Sequence, residues 1–432
     1  MANKRIYFAN QMVAFARGDG SHDAQGVSAG TDRGQQWSAA HGVQSVAVTT
    51  TFNLEQAFEV GQLSIYENIE GVPDVEITSS KVLDGYTLLY HFATDEKAGH
   101  GHGPTLAGRS AAQCIMGLGI WPDTKNSATG VPGEWMEASG LFTSSLGYNF
   151  PTEDNFTEDI TLVGNNKAWN AMTGLDTDDT TEMWLDCVYR PWSGAVASGN
   201  MVSGQFDNND APIGTGGVNR RENFSFAPRV DGGSSSAGGG DMTASYSGYD
   251  FCRLPTDIPG VDSSGWMSST AAGNIAHISN VTVSTDLGRE DLFELGTRQP
   301  YTRPVTFPVE VTCDIEVISV SGDLVNAFAD GCGDGVGCEG ITDNLSNQVI
   351  RLATCEGTRI YLGQKNKLAS VNYGGGDAGG GNVSVTYSYT TFNDFTVIHP
   401  ADPNASGVNW WNARSGYLGF KQGAAGTTPV VP

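Results

Sequence analysis

Strict alternation of apolar and polar residues over nine positions is the feature that most constrains how this chain folds. Within residues 309–317, the odd-numbered positions are apolar and would share one face: Val309, Val311, Cys313, Ile315 and Val317. Polar and acidic residues fill the even positions, including Glu310, Asp314 and Glu316. Because successive side chains of a β-strand point to opposite faces, this pattern predicts a strand that is buried on one face and wet on the other. Residues 382–397 repeat the alternation.

Other segments give further predictions of local structure. Residues 43–52, 62–67, 74–78 and 83–93 are β-branched, aromatic or alternating and are predicted to be strands. Residues 138–149 and 155–164 are predicted to form a hairpin. Residues 110–118 are the best candidate for a short helix, with Ser110 as its cap. We find no internal repeat of 20–50 residues, which argues against propellers and solenoids.

Composition favours β-structure with long connections. The chain has 432 residues, of which 57 are glycine, and turn-forming residues are plentiful throughout. Five regions are predicted: an irregular N-terminal arm over 1–42, two halves of one β-core over 43–172 and 275–398, a loop-rich insertion over 173–274, and a C-terminal tail over 399–432. The insertion is expected to lie on the exterior, because Gly/Ser-rich stretches such as 232–240 interrupt its periodic runs.

The charge of the chain limits its partners. Its 48 acidic and 23 basic residues give a net charge of −25 at pH 7. Such a surface repels phosphate backbones, so tight binding of nucleic acid through basic patches is not expected.

Cysteine usage and hydropathy bear on where the chain folds. Seven cysteines are sparse and odd in number, which favours folding in a reducing cytoplasm over a disulfide scaffold. We predict no signal peptide and no membrane partner, because no apolar run approaches the roughly 20 residues that cross a bilayer.

Three loops contain residues that could bind a metal ion, and each is compared with an ordinary solvated loop. His100 and His102 flank a glycine, but no third ligand stands at a recognisable spacing, so a plain loop is the better interpretation. Residues 330–339 alternate acidic residues with glycines but miss the order of an EF-hand, and Cys332 and Cys338 within them could pair. A solvated acidic loop is favoured there, and likewise at 176–179.

Catalytic patterns do not rise above background. No nucleophile elbow follows a strand and opens a helix, no phosphate-binding loop is present, and the seven histidines are scattered. We therefore expect no enzyme activity and no cofactor, and we nominate no catalytic, cofactor-binding or metal-binding residue.

The predicted strands contain sequence segments that resemble those of tailed-bacteriophage tail tube proteins. These are GQLSIYENIEGVPDVE at 61–76, KVLDGY at 81–86, NFTEDITLVGN at 155–165, DLGREDLFELG at 286–296, FPVEVT at 307–312 and TYSYTTFNDF at 386–395. The resemblance covers roughly residues 43–170 and 275–398. It implies a mainly β fold, a tail-tube-like β-sandwich or half-barrel with a flanking short helix.

The resemblance also implies a function. Six copies would form a ring whose sheets join into one barrel, the rings would stack, and DNA would pass through the lumen without specific binding. The partners would be other copies of the chain and tail proteins such as sheath, baseplate or terminator, in a virion tail assembled in the host cytoplasm. The alternatives are another virion part, such as a capsid or decoration protein, and a β-sandwich enzyme or carbohydrate-binding module.

Overall fold

A computed structural model describes the following parts of the chain: residues 6, 8–17, 38–61, 63–94, 105–121, 134–171, 218–221, 224–225, 277–318, 323, 325, 347–348, 350–354, 358–363, 365–374 and 381–399. The fold of these residues is mainly β, as predicted. The strands in chain order are β1 (Gln11–Arg17), β2 (Ser38–Ala39), β3 (Val43–Thr51), β4 (Leu54–Phe58), β5 (Ile65–Glu70), β6 (Asp74–Val82), β7 (Cys114–Ile120), β8 (Glu134–Pro151), β9 (Thr157–Gly164), β10 (Asn166–Ala171), β11 (Phe224–Ser225), β12 (His277–Asp286), β13 (Glu310–Ile318), β14 (Arg351–Thr354), β15 (Arg359–Tyr361), β16 (Lys367–Gly374), β17 (Ser384–Phe392) and β18 (Thr396–Ile398). Two short helices, α1 (Leu89–Ala93) and α2 (Leu106–Arg109), and a 3-10 turn at Phe8–Asn10 complete the described elements.

Eight of these strands form a continuous antiparallel layer, here called the central sheet. Its order is β3-β6-β9-β8-β12-β13-β17-β16. The predicted hairpin is confirmed as the β8–β9 pair. The alternating segment 309–317 lies in β13 except for Val309, which directly precedes it, and its apolar positions are buried.

The long strand β8 joins the central sheet to a second layer, here called the side sheet. Residues 134–141 of β8 pair with β7 and β10, whereas residues 142–151 pair with β9 and β12. Gly140 has a φ of 64°, and the ladder to β9 shifts register between Thr143 and Ser145. A left-handed glycine and a bulge bend a strand, so β8 can belong to two layers. Strands β1 and β2 continue the side sheet beyond β7.

One hydrophobic core lies under the buried face of the central sheet. It combines alternate residues of the eight strands with β1, β7 and α1, and it extends to Leu352 and Ile360 of the separate sheet β11-β14-β15-β18. Helix α1 packs against β1, β7, β8 and β9. The opposite face of the central sheet is polar.

Two predictions of element type are wrong. Residues 83–93 were expected to form a strand, but Leu89–Ala93 are helical and buried throughout. A short run that is apolar at every position has no period that separates strand from helix. Conversely, residues 114–118, the second half of the predicted helix 110–118, lie in β7, which is buried on both faces. Glycines 117 and 119 disfavour a helix and leave room for the rings of Trp121 and Trp135.

The described residues add detail to two of the predicted regions, whose boundaries stay predictions. The arm 1–42 is not irregular throughout, because Gln11–Arg17 pair along their whole length with β7. The insertion 173–274 is not wholly exterior to the sheets, because β11 pairs with β14 and the buried Asn219 bonds to the backbone of Leu83. These segments are too short or too glycine-rich to show a period, and tertiary pairing decides their structure. His100, His102, Asp176–Asp179, Asp330–Glu339 and residues 400–432 lie outside the described residues, so the predictions made for them stay predictions.

Candidate assembly surfaces

The polar face of the central sheet is the broadest candidate surface. Its side chains form rows across the strands, because paired residues share a face. One row runs Ser80, Asp159, Gly147, Ser284, Thr312 and Thr390. Hydroxyl side chains dominate these rows, and the face curves into a groove of about 860 Å³ over β6, β9, β8 and β12.

Charge on this face is almost entirely negative. The acidic side chains that it carries are Asp74, Glu76, Asp159, Asp286, Glu310, Asp314 and Glu316. Among the described side chains of the eight strands that point to this face, Lys367 alone is basic. A polyanion near the face would meet repulsion and no Lys or Arg pairs to hold its phosphates.

A second candidate surface projects from the end of the sheet where β3 stops. The chain leaves β3, forms the isolated hairpin β4–β5, and returns as β6. Large apolar side chains are exposed along it: Phe52, Leu54, Phe58, Val60, Leu63, Ile65, Tyr66 and Ile69. A two-stranded hairpin with this much exposed apolar surface is marginal in water, and such patches mark interaction sites.

Residues 287–308, between β12 and β13, form a similar excursion beside the hairpin. Bridges between Arg289 and Val305 and between Leu292 and Thr302 hold its two arms together. Its exposed apolar residues are Phe293, Leu295, Tyr301 and Phe307. We call the hairpin β4–β5 and this excursion together the projecting surface.

Arginines fix the two parts of the projecting surface to each other. Arg298 donates from Nη2 to the backbone oxygens of Glu70 (2.9 Å) and Gly71 (3.0 Å) at the base of the hairpin. The buried Arg303 donates to Asp291 (2.9 Å) and Asn165 (3.1 Å), and its Nη2 lies 3.4 Å from Asp74. The two excursions therefore present one surface with a defined orientation.

The free edges of the central sheet form the third candidate surface. Among the described residues, β3 pairs with β6 alone and β16 pairs with β17 alone. Strand β3 carries neither a charged residue nor a proline, the devices that usually protect an edge. Tyr373 on β16 is 49% exposed although it belongs to the apolar face.

Buried polar groups brace the sheet from inside. Glu158 of β9 accepts hydrogen bonds from the backbone N–H of Leu89 (2.6 Å) and Tyr90 (3.1 Å) and from the hydroxyl of Tyr148 (2.9 Å). It thereby caps α1, whose own N-cap residue makes no side-chain bond. Burial raises the pKa of Glu158 to about 6, although these bonds oppose the shift. Lys81 is also buried and donates to Asp84 at 2.6 Å.

A second buried carboxyl lies on β8. Glu137 is 5% exposed, and its Oε2 has no hydrogen-bond partner among the described residues. Burial raises its pKa to about 7. It lies in the side sheet, away from the polar face, so it bears on stability and not on the candidate surfaces.

The three loops weighed as metal sites lie outside the described residues, so the predictions made for them stay predictions. Within the described part of the chain, no cluster of three or more His, Cys, Asp or Glu side chains could hold a metal ion. The described helices include none long and apolar enough to cross a membrane. Sequence reasoning missed the projecting surface: residues 62–67 read as an ordinary strand, and alternation alone does not reveal that neither face is covered.

Known proteins give limited likeness. No family model matches the chain, and no curated protein matches it in sequence. Among solved structures, a chain of the anti-feeding prophage tube-terminating cap is similar over 40% of this chain and 94% of its own, with 11% identity and a TM-score of 0.26. A chain of an extracellular contractile injection system, the PVC sheath-tube complex in its extended state, is similar over 39% and 92%, with 12% identity and a TM-score of 0.25. A chain of the anti-feeding prophage baseplate is similar over 40% and 99%, with 8% identity and a TM-score of 0.27. At these TM-scores the likeness assigns neither a family nor a role.

Proposed function

We propose that this chain is a structural subunit of a tail tube, which assembles into rings that stack and whose lumen conducts DNA. The observation that carries the proposal is the central sheet itself. It has one buried face, one acidic hydroxyl-rich face and, among the described residues, two edge strands that each pair on one side only. An isolated subunit with such edges risks uncontrolled pairing, whereas closure into a ring removes the edges and encloses the polar face.

The polar face suits the wall of a channel for DNA. Each phosphate contact made by Lys or Arg would hold the passing strand in a salt-dependent way, and this face offers Lys367 against seven carboxylates. DNA would therefore slide along hydroxyl groups and acids without being gripped. A density map of the assembled tube tests this point, and acidic strands on the outer wall would refute it.

The projecting surface suits the contact between stacked rings. Val60 and Leu63 are fully exposed, and burying each side chain is worth about 1.5–3 kcal/mol. Repeated around a ring, such contacts would be strong enough to polymerise rings into a tube. Sheath, baseplate and terminator proteins are the further partners proposed, in a virion tail assembled in the host cytoplasm.

Electron microscopy of the purified full chain tests the proposal directly. We expect rings and stacked tubes from the natural sequence. Replacing Val60 and Leu63 together by Asp should leave the fold intact and abolish stacking, because neither side chain is packed in the subunit. The control is Val218→Asp, which changes an exposed apolar residue outside the projecting surface.

Three outcomes would contradict the proposal. Shells would favour a capsid role, dispersed particles at high concentration would favour a soluble enzyme or binding module, and unchanged tubes from the Val60/Leu63 variant would remove the stacking role of the hairpin.

A further inference from the structure

The two halves of the central sheet have the same topology. The first half has the order β3-β6-β9-β8 and the second the order β12-β13-β17-β16. In each half, the first two strands in chain order are neighbours and are joined by an excursion of the projecting surface. A long crossover follows, and the third and fourth strands then form a pair in which the fourth lies next to the second.

The bulges of the two halves also coincide. The first strand of each half shifts register near its start, between Val43 and Ser45 in β3 and between Ile278 and Asn280 in β12. The third strand of each half shifts register after its second pair, between Thr143 and Ser145 in β8 and between Leu368 and Ser370 in β16.

When the two halves are aligned on their bulges, corresponding residues pair with each other in both halves. Val48 pairs with Ile77, which pairs with Leu162; the counterpart series is Val283, Cys313 and Tyr389. The same alignment matches Val46 with Val281, Thr50 with Thr285 and Tyr148 with Tyr373. Strand order alone recurs by chance in antiparallel sheets, but a common set of registers and bulges does not. The two halves therefore match in topology, register and bulges, as two copies of one structural unit would.

The junction between the units lies inside the chain. Strand β8, the third strand of the first unit, pairs antiparallel with β12, the first strand of the second. Tyr148 and Val283 lie opposite each other there, and both are buried, at 1% and 0% exposure. Their counterparts at the outer edges are Tyr373, which is half-exposed, and Val48, which is partly buried.

We propose that β16 of one copy pairs with β3 of the next in the register that β8 and β12 use within the chain. Val48 then lies opposite Tyr373 of the neighbouring copy, Thr49 opposite Asn372 and Thr50 opposite Val371. The pairing buries the exposed tyrosine as its counterpart is buried. It also places no like charges side by side, since these residues are all neutral.

This inference rests on the proposed ring and changes its count of chains. Each chain fills two neighbouring positions, so a ring holds half as many chains as it has units. The six-position ring expected from the sequence resemblance would then contain three chains, with a mass of three times 45.6 kDa, or about 137 kDa.

Disulfide trapping tests the register and counts the chains together. The test variant carries Thr49→Cys and Asn372→Cys, both on the exposed polar face. The control variant carries Thr49→Cys with Ser370→Cys, which is two residues out of register. The two edges of an eight-stranded sheet are roughly 34 Å apart at about 4.8 Å per strand, so a link within one chain is excluded. Each single variant controls for the seven native cysteines.

After mild oxidation of assembled rings, a non-reducing gel should show a ladder of linked chains from the in-register pair. The out-of-register pair should give about tenfold less product, because its Cα atoms lie beyond disulfide reach. The largest linked species should contain half as many chains as the number of unit positions that microscopy counts around the ring. Rings that yield no in-register link, or a ladder that ends at the full number of positions, would overturn the inference and leave the proposed function standing. Absence of rings by microscopy would instead remove the proposed function.

A second variant keeps the test independent of cysteine chemistry. Tyr373→Asp should retain the circular dichroism and unfolding midpoint of the natural chain, since the tyrosine side chain is half-exposed in the subunit. The variant should not assemble into oligomeric rings. Normal rings from this variant would contradict the proposed edge pairing.

Discussion

Replacing Glu137 by glutamine should remove one contribution to the pH dependence of the free energy of unfolding. An ordinary glutamate loses its proton near pH 4.5, but burial raises the pKa of the folded Glu137 carboxyl to about 7. Between these values the folded state binds more protons than the unfolded state, so the free energy of unfolding falls as pH rises. The difference of roughly 2.5 pKa units amounts to about 3 kcal/mol, lost between pH 4.5 and pH 7.

Glu137→Gln removes this loss, because an amide of the same shape does not ionise. Burying the amide costs about 1–3 kcal/mol, but that cost is the same at every pH. The free energy of unfolding of the variant, relative to the natural chain, should therefore rise by about 3 kcal/mol from pH 4.5 to pH 8. Glu158, whose pKa is also raised, contributes equally to both proteins and cancels.

Urea unfolding at constant ionic strength, followed by tryptophan fluorescence over this pH range, measures the difference. Trp121 and Trp135 are buried, and Trp135 lies two residues from Glu137 on the same strand. The matched control is Glu134→Gln, an exposed glutamate on the same strand, which should show no such trend. A Glu137 difference that stays constant with pH would refute the reasoning.

Three further outcomes are expected. Glu158→Ala should lower the free energy of unfolding by about 3–5 kcal/mol in urea, because it leaves two backbone donors and a hydroxyl unpaired in the interior, whereas the exposed Glu153→Ala should change it by less than about 0.5 kcal/mol. Gly117→Ala should prevent soluble expression or cost more than about 3 kcal/mol, since its Cβ would lie 2.0 Å from a buried tryptophan ring; Gly147→Ala, whose nearest contact is 3.8 Å, should be tolerated, and equal behaviour of the two would contradict the packing described. Arg298→Ala should leave the free energy of unfolding within about 1 kcal/mol of the natural value but reduce the amount of sedimenting tubes, because it removes hydrogen bonds that join the two excursions; undiminished tubes would show that their mutual orientation is unimportant.

Alternation predicted the strands that have one wet face. Residues 310–317 lie in β13 and residues 384–392 form β17, both in the central sheet with their apolar positions buried, and the β8–β9 hairpin was predicted for the same reason. Alternation did not predict β7, because that strand is covered on both faces, nor α1, because every one of its residues is buried. Periodicity reports exposure on one side, so elements without an exposed side escape it.

The candidate surfaces were less predictable than the fold. An acidic polar face follows from the alternation around Glu310 and Asp314, but the exposure of Leu63 depends on where the hairpin β4–β5 points. The likeness of the two halves could not be found in the sequence, because it lies in strand register and bulge positions more than in residue types. Val46 and Val281 are identical at matching positions, whereas Ser79 faces the core where its counterpart is Ile315. The excursions and crossovers between matching strands also differ, which obscures the repeat in the sequence.

The β8–β12 pairing has a consequence for the kinetics of assembly. Within one chain this junction forms during folding, at a rate independent of protein concentration, whereas a junction between β16 and β3 of different chains obeys mass action. In a ring closed as proposed, every second junction is thus complete before any subunits meet. Fewer bimolecular encounters are needed to close a ring of given circumference, and dilution can open a ring at alternate junctions but cannot separate it into single units.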